Sequence, residues 1–514
     1  MFSDAPTGMA SRIALRLILA ATVAWCISLA GVAPALARGG EVRGALRTTD
    51  LLNTDLGATV LDARLDAEAQ FGVFTLGGAY RAYHLSDKTY NPRRLEVPQP
   101  KIKHRYAELS LDSLPRIGNL ALGSLALRAG HFFATFDRGL VLRSFEDIDL
   151  ERDTALDGIL GEYQVGPLKV SALSGKTTER ISDTGQNEHR AGGGRVVVVR
   201  EGLFSLAASG LKRATERLDR TVAVPESPQK FDDTIVGGEA ELWIKSVHLA
   251  ADYAYREGDY YPTGARGEIP GHGGYVTGNL STAWLTLLGE YKEYRRFENA
   301  LANPPTCVRE HIWILMNRTT HQVNLDDERG YLVEGTLTVF EDMPITGSAS
   351  EARTANGDLA HWEMFGFVER PLGSLGMGSF GTAWSREYVS GKFMEYMTAM
   401  GEAELTGETG VGLEFSLGGQ RIEEPTGEVF ASYLGTATWY PTSVVTLSGV
   451  AETSTQKSSQ RDRWLYGEVG AALGEGFDVA LGFGTERGGK KCSGGVCYTE
   501  PEFAGLRLRL TKSF

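Results

Sequence analysis

The stretch Phe503-Ala-Gly-Leu-Arg-Leu-Arg-Leu-Thr-Lys-Ser-Phe514 decides how this chain folds. Ala504, Leu506, Leu508 and Leu510 alternate with Gly505, Arg507, Arg509 and Thr511. A period of two belongs to a β-strand, whose successive side chains point to opposite faces. One face is greasy; the other carries two guanidinium groups. The greasy face runs out at Lys512, whose stem lets its ammonium reach water beyond an apolar layer. The aromatic Phe514 ends the sequence. A soluble edge strand alternates in the same way, so the upstream segments must decide between a sheet in water and one in lipid.

Those segments repeat the pattern. Val247, Leu249, Ala251, Tyr253 and Tyr255 oppose His248, Asp252 and Arg256. Leu285, Leu287 and Tyr291 oppose Glu290, Lys292 and Arg296, and Val411, Leu413, Phe415 and Leu417 oppose Glu414, Ser416 and Gln420. Phe477, Val479, Leu481 and Phe483 oppose Asp478, Ala480, Gly482 and Glu486. Many segments run to about ten to twelve residues, the length of a tilted strand crossing a bilayer. Short turns such as Phe71-Gly72-Val73, Pro115–Gly118, Gly166-Pro167 and Lys245-Ser246 alternate with longer polar links such as 176–193, 214–233, 257–271 and 298–322. Up-and-down membrane barrels sort their connections this way, short on the periplasmic side and long outside. The count is about 24 segments, with 22 as the alternative if the weak first one, Glu41–Leu52, is left out. Trp284, Trp439-Tyr440, Trp464 and Tyr260-Tyr261 stand near segment ends, where interfacial aromatic girdles are expected.

Residues 1–37 read as an export signal: Arg12 and Arg16, an apolar run from Leu17 to Val32, and the small-residue site Ala35-Leu36-Ala37. Removing them with Asp4 takes the net charge from −13 to −14, which argues against a nucleic-acid partner. Beyond residue 37 no apolar run reaches the roughly 18 residues of a membrane helix. An exported chain of this kind is either soluble or a barrel, because only helices and closed barrels satisfy their backbones in lipid.

The final strand, ending in Phe514, resembles the closing strand of bacterial outer-membrane β-barrels. Lys512 departs from that pattern, standing where an apolar residue is usual. Over most of residues 41–514 the chain is similar to the uncharacterised outer-membrane barrels grouped as DUF6029. The resemblance implies an all-β fold: one antiparallel transmembrane β-barrel over residues 38–514. It also implies Phe514 as an assembly signal, the barrel-assembly machinery and outer-membrane lipid as partners, and the outer membrane of a Gram-negative bacterium as the location. It brings no activity.

The segment 130–158 is external by parity, yet it contains Phe132, Phe133, Phe136, Leu140, Leu142 and Phe145. That content predicts a constriction folded into the lumen, lined by Asp137, Arg138, Arg143, Glu146, Asp147 and Asp149. The alternative is a strand extension above the membrane. Asp147, Asp149, Glu151 and Asp153 offer oxygen ligands to Ca²⁺, but not at EF-hand spacing, and no metal or cofactor is assigned. Cys492 and Cys497 enclose Ser-Gly-Gly-Val in the last external link, where an oxidising compartment favours a disulfide, with metal binding as the alternative. Cys307 is then the odd cysteine. Arg507 and Arg509 are expected on the lumen wall. No nucleophile–base pair is legible, so no enzyme is expected. Two functions remain: a porin-like channel passing polar solutes or an export product, and a scaffold barrel holding a partner lipoprotein or cytochrome.

Overall fold

A computed structural model describes residues 41–55, 58–85, 101–115, 121–148, 152–180, 185–219, 229–260, 264–298, 301–308, 321, 324–339, 343–389, 391–407, 411–457, 461–493, 496–500 and 502–514. Twenty-four strands form one sheet, from Glu41–Asn53 to Phe503–Ser513. Each barrel strand pairs antiparallel with the next, and the last pairs back onto the first, Ala45 opposite Ser513 and Asn53 opposite Gly505. The ring therefore has no free edge, as a sheet in lipid requires. Strands run from 9 residues in Ser124–Phe132 to 16 in Gly185–Arg200, Phe204–Asp219 and Gln229–Ile244. Among the described residues no helix is long and apolar enough to cross a membrane. Residues 1–37, read as the export signal, lie outside the described residues.

The two faces separate as the alternation predicts. Leu249, Tyr253, Val276, Leu287, Tyr291, Leu413, Phe415, Leu417, Leu481 and Phe483 are exposed on the outside. In Gln229–Ile244 the outward positions are apolar or small from Val236 to Ile244, then turn polar at Thr234, Asp232 and Lys230. Eight rises of about 3.4 Å, tilted about 40°, make a greasy band roughly 21 Å high, close to the band of membrane barrels. The polar remainder projects toward the long links.

Connections alternate in length with exceptions. After Lys101–Leu111 the next strand begins at Ser124, with residues 121–123 outside it, rather than at the expected Leu120; residues 116–120, which hold Leu120 and most of the expected turn Pro115–Gly118, lie outside the described residues. Conversely, Gly376–Val389 and Lys392–Thr406 meet through residues 390–391 on the long-link side. The aromatic expectation splits. Trp284 and Trp439 are exposed outside, but Trp464 is buried inside with Arg487 over its ring at 5.1 Å, and Tyr260 is buried under Arg256 at 4.6 Å. Tyr261 lies outside the described residues.

Candidate functional site

The barrel encloses more than its own wall. After Phe132 the chain leaves the sheet and returns to it only at Leu156. Thr135–Phe136 pairs with Leu142–Arg143, and Glu146–Asp147 pairs with Arg152–Asp153, making two short ribbons. Phe136, Leu140, Val141 and Leu142 are buried together with wall residues Leu173, Ala191, Leu211, Ile235, Ala254 and Tyr294. Their strand neighbours Val196, Val236 and Tyr253 are exposed outside, so these wall residues face inward. Each fully buried leucine or phenylalanine favours docking by about 1.5–3 kcal/mol relative to exposure.

The tip of this segment is backbone-strained. Asp137, Arg138 and Gly139 have φ of 50°, 48° and 90°, a left-handed run that non-glycine residues rarely adopt. Such strain persists where the surroundings over-determine it. Gly139 cannot be replaced freely: a Cβ there would lie 2.6 Å from the Asn303 carbonyl oxygen. The turn directs two opposite charges at the wall. Asp137 is fully buried; it accepts a hydrogen bond from the Ser209 hydroxyl and lies 3.4 Å from Arg195 Nε. Burial pushes its carboxyl above the usual aspartate range, with Ser209 and Arg195 opposing the shift. Arg138 pairs with Glu241 and, at 3.1 Å, with Asp252, while Arg195 Nη2 donates to Glu239 at 2.8 Å.

A second segment, between Arg295 and Asp327, meets the first. The Arg143 N–H donates to the Leu301 carbonyl at 2.6 Å and the Asn303 N–H to the Gly139 carbonyl at 3.1 Å. Phe297 and Leu301 complete the apolar cluster. Below them Lys292, fully buried on the wall, ion-pairs with Glu328 and donates to the Thr306 carbonyl. His321 Nε2 lies 3.0 Å from Glu328, and its ring stacks on His361 at 4.9 Å. Arg256 spans Asp233 and the carbonyls of Ile269 and Arg296, tying neighbouring links to the same wall.

The expected constriction residues are distributed as follows. Asp137 and Arg138 anchor the segment to the wall, and Asp137 has no open surface. Arg143 Nη1 reaches the Asn303 carbonyl at 3.3 Å. Glu146 is paired with Arg64 and lies near His104 and Asp153, and Asp147 sits in the ribbon opposite Arg152. Asp149 lies outside the described residues. Arg507 and Arg509 face inward, paired with Glu486 and Glu468, far along the sequence from the first set. Cys492 stands directly opposite Cys497 across the ribbon Gly489–Ser493/Val496–Glu500. The Phe514 N–H donates to the Gly44 carbonyl at 3.0 Å, at the closing seam. Cys307 is buried against Tyr275 and Leu332. The wall partners Arg195, Glu239, Asp252, Lys292, Glu328 and His104 were not foreseen as site residues; their only signal is charge on the polar face of a strand.

In the solved structures, the fold is similar to the translocation pore of the P pilus usher PapC, at 9% identity and a TM-score of 0.46, covering 92% of this chain and 99% of that one. It is also similar to the siderophore receptor PirA from Pseudomonas aeruginosa, at 9% identity and a TM-score of 0.49, covering 92% and 80%. The outer membrane transporter YddB from Escherichia coli matches at 8% identity and a TM-score of 0.42, covering 92% and 80%. No curated protein sequence matches the chain. The model of the family of unknown function DUF6029 matches residues 65–348 and 437–514, which include both lumen segments and the final strand. With well over half of its length matched, the chain belongs to the DUF6029 family.

Proposed function

We propose that this barrel is a channel of the Gram-negative outer membrane, passing small polar solutes through a lumen narrowed by its own segments. The observation that carries the reading is the docking of the described parts of two segments, 133–148 with 152–155 and 296–298 with 301–308, 321 and 324–326, on the inner wall through an apolar cluster and the Arg138–Asp252 and Lys292–Glu328 ion pairs. Twenty-four strands about 4.8 Å apart and tilted about 40° enclose a backbone radius of roughly 24 Å, more than wall side chains fill. The segments contact the wall from Ala58–Phe71 round to Gly376–Val389. The opposite arc carries a polar lining, with Gln420 donating to Thr398 at 3.0 Å and Arg487 paired with Glu452 at 3.0 Å. That arc offers a solute these polar and charged groups beside an apolar cluster of Tyr396, Ile422 and Phe430. Occupying the lumen with the chain's own segments favours a channel over a scaffold that holds a lipoprotein or cytochrome.

The greasy outer band supports placement in a bilayer, and the long-link side then faces outward. Single-channel recording of refolded protein tests the reading. Stable conductance is expected, and removing residues 137–147 raises it several-fold. A heat-modifiable, correctly closed barrel that conducts in neither form overturns the channel.

A further inference from the structure

We propose that His104, Glu146 and Asp153 form a binding site for a divalent transition-metal ion of the Zn²⁺ class. His104 comes from the wall strand Lys101–Leu111, and the two carboxylates come from the lumen ribbon, where Glu146 and Asp153 are register partners. One ligand atom from each of the three lies within 4.8 Å of the other two. A tetrahedral ion with bonds of about 2.0–2.2 Å holds its ligands roughly 3.3–3.6 Å apart. The two carboxylates face different ring nitrogens, Asp153 at Nε2 and Glu146 at Nδ1, so an ion seated on one nitrogen replaces the His104–Asp153 hydrogen bond and turns the imidazole or the glutamate toward a shared centre.

Each carboxylate is already oriented by a partner outside the set. Asp153 Oδ1 accepts the Ala155 N–H at 3.1 Å, leaving Oδ2 3.0 Å from His104 Nε2. Glu146 Oε1 accepts from Arg64 Nη1 at 2.5 Å, while Oε2, at 2.9 Å from Arg64 Nη2, is the glutamate oxygen that faces the imidazole, 3.8 Å from Nδ1. Supporting hydrogen bonds of this kind fix first ligands in metal sites. Arg64, Asp66, Glu146 and Asp153, joined by direct contacts, sum to two negative charges, which one divalent ion balances. The imidazole selects a transition metal over Ca²⁺ or Mg²⁺, which prefer all-oxygen shells. A cavity of about 570 Å³, lined in part by Arg64, Tyr106, His131 and Phe133, borders the set and gives an ion entry and room for a water ligand. Bound metal clamps the ribbon of Glu146–Asp147 and Arg152–Asp153 to the wall.

The test is isothermal titration of EDTA-stripped, refolded barrel with Zn²⁺, with closure checked by the heat-modifiable gel shift. One ion per chain is expected. His104→Gln and Asp153→Asn each weaken binding at least tenfold, Glu146→Gln weakens it as well, and His321→Gln leaves it unchanged. Absence of Zn²⁺ uptake, or uptake of equal affinity in correctly closed His104→Gln and Asp153→Asn barrels, overturns the site. The readout is independent of conductance, so it stands or falls apart from the channel.

Discussion

Replacing Lys292 with methionine isolates what holds the second lumen segment. The ammonium is buried on the wall, paired with Glu328, which is itself 1% exposed, and donates to the Thr306 carbonyl. Methionine keeps the length and apolar bulk of the stem and removes the charge. Glu328 then retains the Asn324 N–H at 2.9 Å and His321 at 3.0 Å but loses its cation. Removing one partner of a buried pair costs about 3–5 kcal/mol. At about 1.4 kcal/mol per tenfold, the undocked population of the second segment rises by roughly 10² to 4 × 10³. Limited proteolysis reads that population directly when opening and closing outpace cleavage. The Lys292→Met barrel is therefore cleaved within this segment about a hundredfold faster or more, while its strands stay intact on the gel. Adding Glu328→Leu recovers most of the protection, because apolar replacement of both partners of a buried pair is often neutral. Cleavage of Lys292→Met within threefold of the parent rate refutes the buried pair as the docking element.

The first segment carries its own pH signature. Burial raises the Asp137 pKa in the docked state, so its contribution to docking is fully present below the ordinary aspartate value of about 3.9 and is lost as pH rises through the raised value. Protease sensitivity of residues 133–155 in the parent should climb over that window, and Asp137→Asn should remove this component; identical profiles would disprove it. Gly44→Val strikes the closing seam, since a Cβ there lies 2.5 Å from the Asp66 carbonyl oxygen and 2.6 Å from the Phe514 ring. Overpacking of about 1–3 kcal/mol should lower the temperature of the gel shift, whereas Gly289→Val, with nothing within 4 Å of its added Cβ, should not. Mass spectrometry of the oxidised chain should show a Cys492–Cys497 peptide pair released by reductant, because directly opposed strand residues fall within disulfide reach; two alkylatable thiols in the unreduced protein would exclude it.

The fold was legible because every strand repeats one message. Leu413, Phe415 and Leu417 or Leu481 and Phe483 need only their neighbours in sequence to define an outside. The strand Ser124–Phe132 begins later than its apolar residues suggest, because strand length is set by pairing with Lys101–Leu111 and Leu156–Val165. In the segment 130–158, Phe136, Leu140 and Leu142 are hidden, but Phe133 remains 42% exposed, so apolar composition marked the region and not each residue. Lys292, Glu328 and His104 gave no local sign of their roles. A charge on the inner face of a barrel strand looks the same in sequence whether it meets water or a buried partner. Which it meets depends on where a lumen segment lands, and that is decided by three-dimensional packing.

The seam between Gly44 and Phe514 has a kinetic consequence. The two residues bond reciprocally, yet they stand 470 positions apart along the chain. Every other neighbouring pair of barrel strands is joined by one local link, so the sheet can grow step by step as a meander. Closure alone demands a contact spanning the whole array, and contacts of that separation form last and slowly. Until then the growing sheet presents two unpaired edges, Glu41–Asn53 and Phe503–Ser513, each able to recruit another chain. Assembly is thus a race between sealing that one seam and edge-to-edge aggregation, and the greater the concentration of unsealed sheets, the worse the odds for the barrel.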